Sequence, residues 1–413
     1  MTKPTRRAFL GGAAAAATWR ALRLAVPHAR LIPLGLVPVA TAHADDQLVS
    51  LGKPDLTLLN DRPLNAETPA HLLDDAVTPA ARMFVRNNGI PPEPADDPMQ
   101  WQLEISGEAC DKPMTLSIAT LKKRYESVTL QLQLECGGNG RAEFRPRASG
   151  NQWTTGAIAC PTWTGVRLAD VLADCGVTDK AMYVGFKAAD RHLSGAPDKQ
   201  AISRGIPIDK ARQPETLLAF EMNGEPIPQI HGAPLRLVAG GYPGSVSGKW
   251  LTGLMIRDRV HDGAKMNAPS YRVPCTPVAP GASVEKDDMC IIESMPVKSL
   301  ITYPASGVSV AVGDSTVIRG HAWAGERHVS TMQLSTDFGA TWQEVSVSDP
   351  VNRFAWQHFA TELRFDAPGY YEIWAKATDD TGVSQPMLLP GWNPKGYLNN
   401  ACHRIAIEVV DVA

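Results

Sequence analysis

The chain has 413 residues, 44% of them apolar and 20% charged, with a formal net charge of −3. That is too long for one ordinary core and too apolar for a disordered chain, so two domains are expected. The slight acidity disfavours nucleic acid and anionic lipid as partners.

The first segment reads as an address rather than as part of the fold. In TRRAFLGG, Arg6 and Arg7 precede an apolar stretch, as in twin-arginine export signals, and ATAHADD offers a cleavage site at Ala42-His43-Ala44. Arg20, Arg23 and Arg30 interrupt the apolar part, which makes it too charged for a membrane span of about 20 apolar residues. No later segment is long and apolar enough to span either. Residues 1–44 are expected to be a signal peptide and the mature protein to be periplasmic. Removing them takes away six basic and no acidic residues, moving the net charge from −3 to −9. Such a surface suits a basic partner protein. Twin-arginine routes move folded proteins, which fits a chain that acquires a complex cofactor before export.

Residues 45 to about 80 read as an extended, proline-spaced leader. From Met83 to about Asp287 short strands and helices mix. VTLQLQL (Val128 to Leu134) alternates like a strand, and LADVLADCG (Leu168 to Gly176) has helical apolar spacing with a closing glycine. The character changes near residue 291, after which strand follows strand with closely spaced turns. STDFGATWQEV predicts a hairpin with its turn at Asp337–Ala340 and Trp342 packed inward. PGYYEIWAKATDDTG alternates Tyr371, Ile373 and Ala375 against Tyr370, Glu372 and Trp374. Residues 291–413 are expected to form an immunoglobulin-like β-sandwich, following an α+β domain over 45–290.

The seven cysteines, at 110, 136, 160, 175, 275, 290 and 402, are odd in number, so at least one is unpaired or ligating. With no CxxC or CxxCH, a zinc ribbon and a covalent c-type haem are disfavoured. Four clusters carry chemistry. They are Arg86 with Asn87 and Asn88 in MFVRNNGIPP, and Cys136 with Arg141 in LQLECGGNGRAEFRP, followed by Trp153. The others are His231, Arg236 and Lys249 in EMNGEPIPQIHGAPLRLVAGGYPGSVSGKW, and Tyr271 with Arg272 in APSYRVP. Taken singly, each is more often a packing or surface residue. Together, a thiolate that can take a soft metal and cations in glycine-rich loops point to a metal–thiolate centre, a phosphate-bearing cofactor and an anionic substrate.

FVRNN, LECGGNGR, W…GAI…W.GVRL.DVL, EMNGEPIP..HGAPLR and GKW occur in order, and with the trailing sandwich the mature chain resembles the sulfite oxidase family of molybdenum enzymes. The resemblance implies a sulfite-oxidase-type molybdopterin domain, a β-sandwich dimerisation domain and a homodimer. It implies Cys136 as the protein ligand to molybdenum, whose other ligands include a pyranopterin dithiolene (molybdopterin). Arg86 and Arg141 would wall the substrate anion pocket, with Trp153 flanking it and Tyr271 beside the reacting centre. Lys395, in WNPKGYLNNACHR, would return a further cation. His231, Arg236 and Lys249, with Asn87, Asn88, Asp190 and Ser247, would contact the cofactor. The glycines around Cys136 would let the loop wrap metal and pterin. The chain departs from vertebrate-type members at Asn88, where they have His, at Lys395, where they have Arg, and in CGGNGR, where CAGN is usual.

The resemblance implies a sulfite dehydrogenase that passes electrons singly to an external c-type cytochrome, since no haem or flavin module is expected here. A sulfane dehydrogenase-type subunit acting on a protein-bound sulfur stands as the alternative within the family. Sulfoxide reductase activity fits less well because relatives of that type lack the sandwich, and nitrate reductase activity because its flavin and haem modules are not expected in this chain, which reads as exported. From another class, a non-catalytic exported binding or assembly protein would purify without molybdenum.

Overall fold

The structure, a computed structural model, describes residues 46–411. The twin-arginine segment and its cleavage site therefore lie outside the described residues. One mixed and one antiparallel sheet build the core of the first domain. One has the strand order Gly205–Pro207, Tyr183–Ala188, Leu251–Arg257, Gln102–Ser106, Met114–Ser117. Its pair Leu251–Arg257 and Gln102–Ser106 is parallel. The other runs Glu225–Pro226, Thr216–Met222, Thr162–Arg167, Ser127–Gln131, with Arg236–Ala239 also paired to Thr216–Met222. Their apolar faces share a core that includes Leu103, Ile105, Val166, Phe186, Leu218 and Leu254. The helix Leu168–Cys175 buries Leu168, Val171, Leu172 and Cys175 on one stripe and ends at Gly176 in the left-handed region, as its spacing predicts.

The predicted strand over Val128–Leu134 is broken in two. Ser127–Gln131 pairs with Thr162–Arg167, but Gln133 N turns away to donate to Phe354 O, 2.8 Å. Pairing resumes at Leu134–Glu135 with Ile158–Ala159. Alternation continues through the break because Val128, Leu130, Leu132 and Leu134 all pack against the same core.

The leader is more than an extended tail. Thr57–Asp61 and Leu64–Glu67 form a hairpin that continues onto Val85–Arg86. Leu48, Leu56, Leu64, Ala66 and Val85 give it a small core. The buried Lys53 ammonium donates to Ala80 O and, at 2.9 Å, to Met83 O, and burial pulls it down to about 7.

From Val297 the chain forms the expected sandwich. A sheet of Val297–Tyr303, Ser315–Ala324 and Gln357–Arg364 faces one ordered Val308–Ala311, His403–Val410, Gly369–Asp379, Val329–Ser335, Gln343–Val345. Ile373 and Ala375 point into its core, while Glu372 and Trp374 bond to each other on the opposite face. The hairpin at 329–345 is present, but Trp342 is half-buried under the Lys376 ammonium, 3.9 Å from its ring centre, rather than packed inward. Among the described residues, no helix is long and apolar enough to cross a membrane.

Cys275 and Cys290 form a disulfide across the paired strands Arg272–Pro274 and Met289–Ile291. Cys110, Cys136, Cys160, Cys175 and Cys402 are free and buried.

Candidate active site

Cys136 follows the short strand Leu134–Glu135, and its backbone is held from both sides. Cys136 N donates to Ala157 O, 2.9 Å, and Asn139 N donates to Cys136 O, 2.8 Å. Asn139 Oδ1 also accepts from Ala157 N, 3.1 Å, tying the turn to the facing strand. The glycines serve the loop itself. A Cβ on Gly138 would sit 2.2 Å from the Arg141 guanidinium, and Gly140 has φ +89 with Asn399 pressed against it. Gly138 and Gly140 thereby make room for Arg141 and Asn399.

The Cys136 side chain lines a cleft shared with Arg86, Asn88, Asp190, His231, Arg236, Ser247, Lys249 and Tyr271. Phe84, Phe186 and Trp250 supply apolar wall. Nine of the thirteen residues expected from the sequence thus meet here.

One bonded group occupies part of this wall. Arg86, at the end of the leader sheet, donates from Nη2 to Asn88 Oδ1 at 3.1 Å and to Tyr271 Oη at 3.3 Å. Tyr271 Oη donates to Asn88 Oδ1, 3.1 Å. Burial opposes charge on both side chains. Even so, the nearby Tyr271 and Cys136 hold Arg86 above its ordinary value, and Arg86 and Lys265 bring the Tyr271 phenol below its own. Sequence reasoning missed three neighbours. Lys265 Nζ donates to Asn88 Oδ1, 2.7 Å. The Arg204 guanidinium lies over the Tyr271 ring, 4.7 Å from its centre. Tyr397 stacks on Tyr271 with ring centres 5.7 Å apart. Tyr397 stands two residues from the segment's expected cation, but Arg204 and Lys265 sit outside every motif.

A second group forms a cationic cradle. Arg236 donates to His231 O at 2.8 Å and Ser247 O at 3.2 Å, stacked 4.7 Å over Trp163. Lys249 Nζ donates to Asn87 Oδ1 and to Ile230 O, the latter at 2.9 Å. Asn87 thus lies behind the cleft wall and positions Lys249. Ser247 Oγ accepts from Ala239 N, 3.0 Å, which leaves its proton to donate elsewhere. His231 Nε2 and Arg236 Nε are buried with no hydrogen-bond partner. Burial, with the neighbouring cations, drives His231 and Lys249 well below their ordinary values, and burial brings Arg236 to about 9. Asp190 is raised to about 6 by burial, against the pull of Lys249.

Besides Asn87, three expected residues do not line the cleft. Arg141 is 6% exposed and spends Nε on Lys395 O, 2.6 Å, and Nη1 on Asn151 O, 2.8 Å, with its guanidinium over Tyr397. It braces the Cys136 loop from behind. Lys395 aims its ammonium at Ser149 Oγ, 3.0 Å, on the exposed side, and only its carbonyl reaches inward. Trp153 is fully buried edge-on to Phe84, in the core beneath the loop, where bulk rather than substrate contact explains it.

Residues 89–265 match the oxidoreductase molybdopterin binding domain family, and residues 289–410 match the Mo-co oxidoreductase dimerisation domain family. Mouse mitochondrial sulfite oxidase is 34% identical over 91% of this chain and 69% of its own length. Human mitochondrial sulfite oxidase is 34% identical over 90% of this chain and 69% of its own. The chain belongs to the sulfite oxidase family. The crystal structure of the sulfane dehydrogenase SoxCD from Paracoccus pantotrophus shares the fold, with a TM-score of 0.70 over 94% of this chain and 97% of that one, at 23% identity. The chain spans about two thirds of the length of the mouse and human sulfite oxidases. As a member of this family it is a molybdenum oxidoreductase with a molybdopterin cofactor. The residues present fit such a group. Two buried polar nitrogens without partners and a crowd of cations with one carboxylate call for a bound anion with several acceptors, as a pterin phosphate provides.

Proposed function

We propose that the protein is a sulfite dehydrogenase, exported by the twin-arginine route to the periplasm, that passes electrons singly to a separate c-type cytochrome. The observation that carries the substrate assignment is the joined group of Arg86, Asn88 and Tyr271 in the wall of the cleft that Cys136 lines. It offers a cation and two polar groups to a small oxyanion beside the proposed metal ligand.

Among the described residues, no three His, Cys, Asp or Glu side chains converge as a metal site. Cys136 would therefore hold molybdenum through one thiolate, with the cofactor's dithiolene alongside. His231, Arg236, Ser247 and Lys249 would hold the phosphate and pterin, with Asp190 closing the cradle and Asn87 and Asn88 positioning its neighbours. The bound cofactor supplies the two-electron redox chemistry and the exchange of an oxygen atom. Sulfite and water become sulfate, two protons and two electrons. Arg86 binds and orients the anion, in a partly dry site where one charge counts for more than in water. Tyr271 Oη gives up its bond to Asn88 Oδ1 and presents that proton to the anion. Phe84, Phe186 and Trp250 keep bulk water from the cleft.

Cys136 is only 6% exposed, which suits a small anion better than a sulfur carried on a protein. The acidic mature chain suits docking of a basic cytochrome. The dimerisation-family match at 289–410 supports a homodimer through the sandwich. One preparation tests the reading. The purified protein should contain molybdenum, reduce two ferricyanide per sulfite, and run as a dimer by light scattering. A molybdenum-loaded protein inert to sulfite overturns the substrate assignment, and a metal-free one favours a binding protein. Monomer alone at micromolar concentration removes the dimer.

A further inference from the structure

Arg204 and Lys265 lie outside every recognisable motif, yet they converge on the residues just described. Lys265 Nζ reaches Asn88 Oδ1 at 2.7 Å. The Arg204 guanidinium stacks on Tyr271, donates from Nη1 to Ser245 Oγ at 2.7 Å, and is 1% exposed. Ser245, Asn88 and Tyr271 all line the cleft. Arg204 Nε is buried without a partner.

The bonding here is unbalanced in a way that calls for an acceptor. Asn88 Oδ1 receives Arg86 Nη2, Tyr271 Oη and Lys265 Nζ at once. An amide oxygen has two lone pairs, so three donors cannot all be well served. The side-chain partners of Arg86, Arg204 and Lys265 are neutral oxygens, and none of the three forms an ion pair with a carboxylate among the described residues. Three cations held around one phenol repel one another and carry desolvation cost, which an anion placed among them offsets. Lys265 and Tyr271 also hold left-handed backbone angles, φ +66 and +51, that side chains adopt at a cost.

We propose that Arg204 and Lys265, together with Arg86, form the seat for a doubly charged oxyanion, in the role that the resemblance implies for Arg141 and Lys395. This rests on the sulfite reading for the identity of the anion but not for the existence of the seat. Asn88 holds the donors in place while the seat is empty of anion and releases them when it fills. Because the seat's charges meet substrate and transition state alike, they act mainly on binding.

The test uses the metal-loaded full-length enzyme and two readouts, sulfite kinetics and calorimetric titration with sulfate. Lys265→Met and Arg204→Met should each raise KM for sulfite tenfold or more with kcat changed less than threefold, and weaken sulfate binding in parallel. Lys265→Arg should recover most of both, and Lys395→Met should match wild type. Arg204 is fully buried, so Arg204→Lys is made as well; it keeps a charge if Arg204→Met does not fold. KM and sulfate affinity within twofold of wild type in Lys265→Met, with molybdenum content intact, overturns the seat. If the wild-type enzyme binds sulfate and the variants do not, yet none oxidises sulfite, the sulfite reading fails and the seat stands.

Discussion

Cys136 differs from the other free thiols in its surroundings. Burial pushes the Cys160 thiol up to about 12 and the Cys402 thiol to about 11, so both stay protonated and inert. Cys136 instead lines the cleft, within electrostatic reach of the Arg86 guanidinium. Cys136→Ser replaces a soft donor with a hard one of nearly the same size. The fold should persist, because the loop is held through its backbone. Sulfite oxidation should drop by orders of magnitude and the Mo(V) paramagnetic resonance signal should change form or vanish. Serine at Cys110, Cys160, Cys175 or Cys402 should leave that signal unaltered. An unchanged spectrum in Cys136→Ser would exclude the ligand assignment. Residues such as Cys136, His231, Arg236 and Lys249 were legible because they sit in long ordered motifs. Arg204 and Lys265 were not, because nothing in their local sequence separates them from surface cations. Arg141 and Lys395 were placed by type and position, but hydrogen bonds to backbone carbonyls and to Ser149 direct them elsewhere.

At the scale of elements, the leader shows how far sequence pattern reaches. Its prolines suggest an extended tail, and alternation over four or five residues is too short to announce a hairpin. Tertiary burial decides it: Leu64 to Glu67 is wholly buried and passes its register to Val85–Arg86, which carries Arg86 into the cleft. Glu67 ends that strand and accepts from Thr154 N and Oγ1, both at 2.8 Å. Thr154 leads into the strand Ile158–Ala159, which supports Cys136. Burial outweighs these hydrogen bonds and raises Glu67 to about 7 from its ordinary 4.5. The folded state thus binds a proton that the unfolded chain has released. This stabilisation is complete below about pH 4.5 and fades as pH rises through 7, a loss of up to about 3 kcal/mol. Glu67→Gln cannot titrate. Between pH 5 and 8 the wild type should lose stability relative to the variant, measured as diverging denaturant midpoints. Parallel curves would mean that Glu67 is ionised in the fold across this range.

At the scale of the molecule, the sandwich is part of the site's scaffold. Glu135, immediately before Cys136, is 1% exposed, and its carboxylate accepts from Lys298 Nζ at 2.7 Å and Trp323 Nε1 at 2.9 Å, both from the sandwich. Asn139 Nδ2 adds a third donor from the Cys136 loop, 3.0 Å. Asn399 clamps the same loop through Gly140 O, 2.9 Å, and Asp74 grips Arg319 farther along the seam. The sandwich strands were legible as a separate domain, because alternation is local. Their grip on the Cys136 loop was not, because Glu135 and Lys298 are far apart in sequence and neither position marks burial. Lys298→Met removes the cation and leaves a buried carboxylate whose remaining donors are neutral. Breaking one side of a buried pair typically costs about 3–5 kcal/mol. The variant should therefore unfold at a clearly lower denaturant midpoint. Glu135→Gln combined with Lys298→Met should regain much of the loss, since a neutral amide can still accept from Trp323. If Lys298→Met unfolds with the wild type, the ion pair does not join the two domains, and the Cys136 loop owes its position to its bonds with Ala157 and to Arg141 and Asn399.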